Sequence, residues 1–154
     1  MDNLNSPSNT DLDAILDVLR KIPVFSALDS NMHREIAKQI VLMYYPADYQ
    51  IFKEQDPGDA LYVIRKGKIK ITRAPKEGSV LPEDVAELGS GEFFGEMSLI
   101  SDIPHTARAK TTEESEIFVL SKENFNELLK TNPVMAEQVS ATIVKRMNLN
   151  DKQV

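Results

Sequence analysis

The 154-residue chain predicts an α+β fold, mainly β, in which a β sandwich or barrel is flanked by N-terminal helices and by two C-terminal helices. Three observations carry that prediction. Apolar residues recur with a helical period at both ends of the chain. From Tyr49 the period changes to short alternating or β-branched runs. Clusters of Pro, Gly, Asp and Lys separate those runs at close intervals, as in an all-β sandwich or barrel.

The first helix begins near Thr10, where Leu12, Ile15, Leu16 and Leu19 form one apolar face and Thr10 with Asp13 reads as a capping box. Pro23 closes it, and Phe25 and Leu28 plug the connection. A second helix starts at Asp29 or Ser30, carries Met32, Ile36 and Ile40, and ends before Pro46. His33 lies on it and is expected to be exposed. Strands come next at Ile51-Phe52, Leu61 to Ile64, Ile69 to Ile71, Val85 to Leu88 and Ile117 to Leu120, with turns at Asp56 to Asp59, Lys66 to Lys68 and Pro75 to Gly78. Ser121 caps a helix bearing Phe125, Leu128 and Leu129. Asn132-Pro133 then opens a last helix that runs to about Asn148, with Met135, Val139, Ile143 and Met147 spaced by four. Residues 1–9 read as a short disordered lead-in, and 10–150 as a single domain.

Composition narrows the function. No run approaches the roughly 20 apolar residues of a membrane span. The absence of cysteine excludes disulfides, thiolate metal sites and cysteine nucleophiles, and fits a cytoplasmic location. A formal charge of −6 disfavours general binding to nucleic acid or anionic membrane, while leaving a locally positive pocket possible. The two histidines, His33 and His105, stand far apart, and the chain has no nucleophile elbow, Walker loop or zincin helix. Neither enzyme nor metal site is expected.

The segment Gly91-Glu92-Phe93-Phe94-Gly95-Glu96-Met97-Ser98-Leu99-Ile100 breaks the strand pattern. Glycines permit close backbone approach, and a helix start at Gly95 would present N–H groups to an anion. A packed corner with the phenylalanines in the core would use the same residues. Taken together with Ile51-Phe52, Asp56-Pro57-Gly58-Asp59-Ala60-Leu61-Tyr62-Val63-Ile64 and Gly67, this segment resembles the cyclic-nucleotide-binding domain family. That family includes catabolite-activator-type regulators, kinase regulatory subunits and cyclic-nucleotide-gated channels. The resemblance runs from about Ile22 to Met147 and implies a jelly-roll β-barrel.

It also implies a ligand, cyclic AMP or cyclic GMP, with no further cofactor. The phosphate-binding cassette of the family reads here as Phe94-Gly95-Glu96-Met97-Ser98, continuing through Pro104-His105-Thr106 to Arg108. By resemblance Glu96 accepts from the ribose 2′-hydroxyl, and N–H groups near Ser98 and Thr106 face the phosphate. His105 stands where the family has an arginine. Histidine is shorter and often neutral near pH 7, so binding is expected to be weak. His105 protonated by the phosphate, Arg108 reaching in instead, or a pocket that has given up its ligand all remain open. Thr106 comes directly after the arginine position, where cyclic-GMP-preferring members often carry threonine, but it also suits a strand start. Asp48 and Gln55 replace turn glycines of the family and are expected to reshape turns away from the ligand. Ile143, Val144 and Met147 of the last helix could cap the base.

The expected function is therefore a cytoplasmic sensor that passes cyclic-nucleotide occupancy through its terminal helices to an effector protein, with a homodimer possible. The rival is a ligand-independent interaction or dimerisation module on the same fold. A catabolite-activator-type DNA-binding domain would begin about where this chain stops, so a role on DNA would fall to another chain.

Overall fold

The computed structural model describes the backbone of residues 8–153 and the side chains of residues 8–145. The chain runs α1 (Asn9–Lys21), a 3-10 turn (Pro23–Phe25), α2 (Ser30–Ala37), eight strands, α3 (Lys122–Thr131) and α4 (Pro133–Gln153). The strands are β1 (Val41–Tyr45), β2 (Gln50–Phe52), β3 (Ala60–Lys66), β4 (Ile69–Arg73), β5 (Glu83–Leu88), β6 (Phe93–Phe94), β7 (Arg108–Thr111) and β8 (Ser115–Ser121). They form two four-stranded antiparallel sheets, ordered β1-β8-β3-β6 and β2-β7-β4-β5. This is the expected jelly roll, built as two facing sheets rather than a closed barrel.

The apolar residues divide between two cores, and β3 shows how. Its first five residues are all buried, because both faces of the strand are covered. Leu61 and Val63 point to the helices, where they join Leu42, Phe118, Leu120, Phe25, Phe125, Met135 and Val139. Ala60, Tyr62 and Ile64 point the other way, between the sheets, with Phe52, Ile69, Phe94, Ala109 and Ile117. The helical layer therefore packs on one sheet only, and the second sheet keeps an outer face of alternating polar residues.

Helix ends are set by the side chains available to cap them. Ser121 accepts from the Asn124 N–H at 3.1 Å, and Asn132 Oδ1 accepts from the Met135 N–H at 3.2 Å, both as expected. Asp29 caps α2 through the Met32 N–H at 2.9 Å. At α1 the cap is Ser8 Oγ, 3.1 Å from the Asp11 N–H, so the helix takes in Asn9 and starts before the Thr10–Asp13 box. Residues 1–7 of the expected lead-in lie outside the described residues.

Two expectations fail here. The second helix does not continue toward Pro46; it ends at Ala37, and Val41 to Tyr45 form β1 on β8, with Leu42 opposite Phe118. Five β-branched, apolar and aromatic residues in a row gain more from an unpaired sheet edge than from a helix whose period they do not keep. His33 is not exposed but buried, at 3% accessibility, and its Nε2–H donates to the Phe25 carbonyl at 2.8 Å. That carbonyl also accepts from the Leu28 N–H at 3.1 Å, and the imidazole occupies its second lone pair. Among the described residues no helix is long and apolar enough to cross a membrane.

Candidate functional site

The segment that breaks the strand pattern is hung on the central strand. The Gly91 N–H donates to the Ile64 carbonyl at 2.8 Å, and the Ile64 N–H donates to the Glu92 carbonyl at 2.8 Å. Phe93 and Phe94 then pair with Val63 and Tyr62 as β6. Phe94 stacks on Tyr62 at 4.8 Å between the sheets. Of the two readings weighed for this segment, the packed corner is present: its phenylalanines are structural, and they lead the chain into the turn at Gly95.

That turn is sharp. Gly95 has φ 79°, and a Cβ there would lie 2.8 Å from the Ala60 carbonyl oxygen, so a side chain is excluded twice over. A single 3-10 turn, Glu96–Leu99, starts from it. Leu99 is 2% exposed and roots that turn in the helical core, while Met97 is 41% exposed and faces outward. The Ser98 N–H, expected to face a ligand, donates to the Gly95 carbonyl at 3.0 Å. Ser98 itself is buried against Gly58, where a Cβ would come 2.5 Å from Ser98 Oγ.

The cassette returns at His105, held by main-chain bonds to the β2–β3 turn. The His105 N–H donates to the Asp56 carbonyl at 2.9 Å, and the Gln55 N–H donates to the His105 carbonyl at 2.8 Å. Gln55 reaches that bond with φ 73°, and Asp48 has φ 59°, so both turn-glycine replacements are left-handed. The Gln55 turn is therefore bonded to the main chain of the site at His105. Between the two halves of the cassette opens a cleft of about 300 Å³. Gly95, Glu96, Met97 and Ser98 line it from the first half, and Ser101, Ile103, Pro104, His105 and Thr106 from the second.

The electrostatics of the cleft turn on His105. Its ring lies parallel to Phe52, 3.5 Å away and 3° from coplanar. Among the described residues its buried Nε2 finds no hydrogen-bond partner. Burial pushes the imidazole pKa below its ordinary value, against the opposite pull of the Asp59 and Asp56 carboxylates. The ring is thus neutral at pH 7. Among the described residues, Glu96 and His105 are the only ionisable ones lining the cleft, so no permanent cation lines it.

The remaining candidates fall elsewhere. Arg108 does not line the cleft; its Nε sits 3.5 Å from Glu54 Oε1, and its side chain is 47% exposed on β7. Ile143 packs against the helical core and faces Leu99 and Ile100 across a neighbouring groove. Val144 is exposed, and the Met147 side chain lies outside the described residues. Phe52 and Gly58 shape the site without having been singled out. Phe52 read as a strand residue and Gly58 as a turn residue, both part of the family resemblance but neither a site residue, since nothing local says which strand will stack on a residue 53 positions away.

Known proteins place this arrangement. The family model described as the cyclic nucleotide-binding domain matches residues 42–132. The cyclic AMP receptor protein of Thermus thermophilus is 33% identical over 110 residues, which cover 71% of this chain and 50% of that protein. A cAMP-activated global transcriptional regulator of Mycobacterium tuberculosis is 25% identical over 131 residues, 85% of this chain and 58% of that one. The chain therefore spans about half the length of these curated relatives. Among solved structures, the N-terminal domain of a transcriptional regulator from Streptomyces coelicolor superposes with a TM-score of 0.76 at 29% identity, covering 88% of this chain and 96% of that one. With its two-sheet jelly roll, its glycine-initiated turn at Gly95–Glu96 and its match to the family model over more than half its length, the chain belongs to the cyclic-nucleotide-binding domain family.

Proposed function

We propose that this domain is a non-catalytic sensor that takes a cyclic mononucleotide, cyclic AMP or cyclic GMP, weakly, in the cleft between Glu96 and His105. The observation that carries the reading is the cleft itself: Glu96 and the His105-Thr106 pair, about ten residues apart in sequence, line one cavity of about 300 Å³. That volume is at the lower end of small-ligand sites. In this reading Glu96 holds the ribose hydroxyl and the His105-Thr106 side faces the phosphate. The exposed Thr106 leaves the choice of base open. Relatives named for cyclic AMP and for cyclic GMP both support the ligand class.

Weakness arises from charge. An arginine would bring a permanent cation to the phosphate, whereas His105 is neutral at pH 7 and turned onto Phe52. Losing one charge-assisted hydrogen bond costs about 1.5–3 kcal/mol, or roughly tenfold to a hundredfold in affinity. The signal would leave through α3 and α4, which pack on the same core as Leu99, to an effector protein or a second copy of the chain. A cytoplasmic setting fits such a role.

One observation favours the rival reading, a module that keeps the fold without the ligand. The His105 ring is stacked on Phe52, and among the described residues its Nε2 is buried without a hydrogen-bond partner. Calorimetric titration with cyclic AMP and cyclic GMP at high protein concentration separates the two. Saturable one-to-one binding that Glu96→Ala abolishes is the expected result. Absence of heat from the native protein, with binding restored in His105→Arg, would select the interaction module.

A further inference from the structure

Midway along the cassette, between its two halves, a polar contact ties it to α3. Lys122 Nζ donates to the Ser101 carbonyl at 2.6 Å and to Asp102 Oδ1 at 2.7 Å. The main-chain N–H of the same residue donates to the Asp59 carbonyl at 2.8 Å. One residue thus joins the C-terminal end of the Glu96–Leu99 turn, the β2–β3 turn beneath His105, and the start of α3.

Its position argues against a role in helix stability. Lys122 is the first helical residue after the Ser121 cap, where the helix dipole disfavours a cation. The side chain is nonetheless folded down to 22% exposure rather than left in solvent. A second link is apolar: Leu99 is rooted in the core it shares with Phe125, Met135 and Val139, and beside it a groove of about 310 Å³ is lined by Leu99, Ile100, Val139, Ile143 and Lys122 itself. Apolar packing is non-directional, whereas a lysine with two acceptors on the cassette fixes Ser101 and Asp102 relative to the start of α3. The two acceptors are not equal. Asp102 is fully exposed, so its ion pair is screened by water. The Ser101 carbonyl bond is part-buried, and it ties down the main chain.

We infer that Lys122 is a positioning residue that clasps the cleft floor to α3, so that occupancy of the cleft and the placement of α3 and α4 move together. This rests on the reading of the cleft as a cyclic-nucleotide site. The Lys122 ammonium in turn holds the Asp102 carboxyl below its ordinary range.

Amide hydrogen exchange on the full chain, without and with cyclic AMP or cyclic GMP, tests the clasp in Lys122→Met, Asp102→Asn and Lys122→Arg. Without ligand, Lys122→Met should speed exchange across residues 97–103 about tenfold or more, Asp102→Asn by less than about threefold, and Lys122→Arg should keep native rates. Amides of β3 and β8 should not change, which a merely stabilising residue would not predict. With ligand, protection in the native protein should reach α3 and α4, and in Lys122→Met it should stop at the cleft. Native exchange at 97–103 in Lys122→Met, or a uniform rise along the chain, overturns the inference. A native protein that neither cyclic nucleotide protects overturns the reading of the cleft instead, and the ligand-free comparison then decides the clasp alone.

Discussion

Replacing His105 by arginine tests the electrostatic account of the cleft most directly. The guanidinium adds a permanent cation to a cavity that has none among its lining residues, for a gain of about 1.5–3 kcal/mol from a charge-assisted bond to phosphate. Two terms oppose that gain. The Asp56 and Asp59 carboxylates, which act on His105, would pair with the guanidinium before ligand arrives. The long side chain must also leave Phe52, giving up roughly 0.5–1.5 kcal/mol of stacking, while relieving a buried nitrogen without a partner, worth about 1–3 kcal/mol. The stability terms nearly cancel, and the affinity gain falls at the low end of its range. Titration calorimetry at pH 7 should therefore show about tenfold tighter binding, with little change in melting temperature. The pH dependence supplies a second reading. Burial depresses the His105 pKa in the unliganded protein. If phosphate holds the imidazolium, binding takes up a proton, and affinity falls as pH rises from that depressed pKa to the pKa in the complex. The fall is at most about tenfold per unit, and His105→Arg should abolish it. Equal affinity in native and His105→Arg proteins, both independent of pH from 6 to 8, would refute the reasoning.

The same geometry sets further outcomes. Glu96→Ala should weaken cyclic-nucleotide binding about tenfold or more, through loss of a charged acceptor, as measured by calorimetry. Arg108→Gln should change affinity less than about twofold, because Arg108 does not line the cleft and its side chain sits beside Glu54; a large loss would mean that Arg108 reaches the phosphate. Gly95→Ala should destabilise the domain by roughly 1–3 kcal/mol in urea titration, since φ 79° and the Ala60 carbonyl both oppose a Cβ. The native protein should lose stability as pH falls below 6.5, the ordinary His105 value. The unfolded chain binds the proton first there, and His105→Gln should lessen that loss in thermal melts.

The sequence was most legible where local chemistry suffices. Ser121 and Asn132-Pro133 announce their helix starts because the capping atoms sit within three residues of the N–H groups they accept from. The β3, β4 and β8 segments announce themselves through β-branched runs between turns. Legibility failed where a distant partner decides the outcome. Val41 to Tyr45 could extend α2 by apolar spacing alone, and only β8, some 75 residues on, offers them a ladder. His33 looks like a surface residue of an amphipathic helix until the 3-10 turn brings the Phe25 carbonyl within reach of its ring.

The candidate site divides along the same line. The family, the turn at Gly95, the carboxylate at Glu96 and the missing arginine are all properties of residue identity at fixed spacing, so the sequence alone determines them. The behaviour of the replacement is not. Whether His105 points at a phosphate or onto Phe52, whether Arg108 reaches the cleft or pairs with Glu54, and whether Lys122 stands in solvent or grips Ser101 depend on elements brought together from across the chain. Those choices are made by competition among burial, stacking and hydrogen bonding in three dimensions. Each rests on a partner at least 20 residues away, and no local pattern records it.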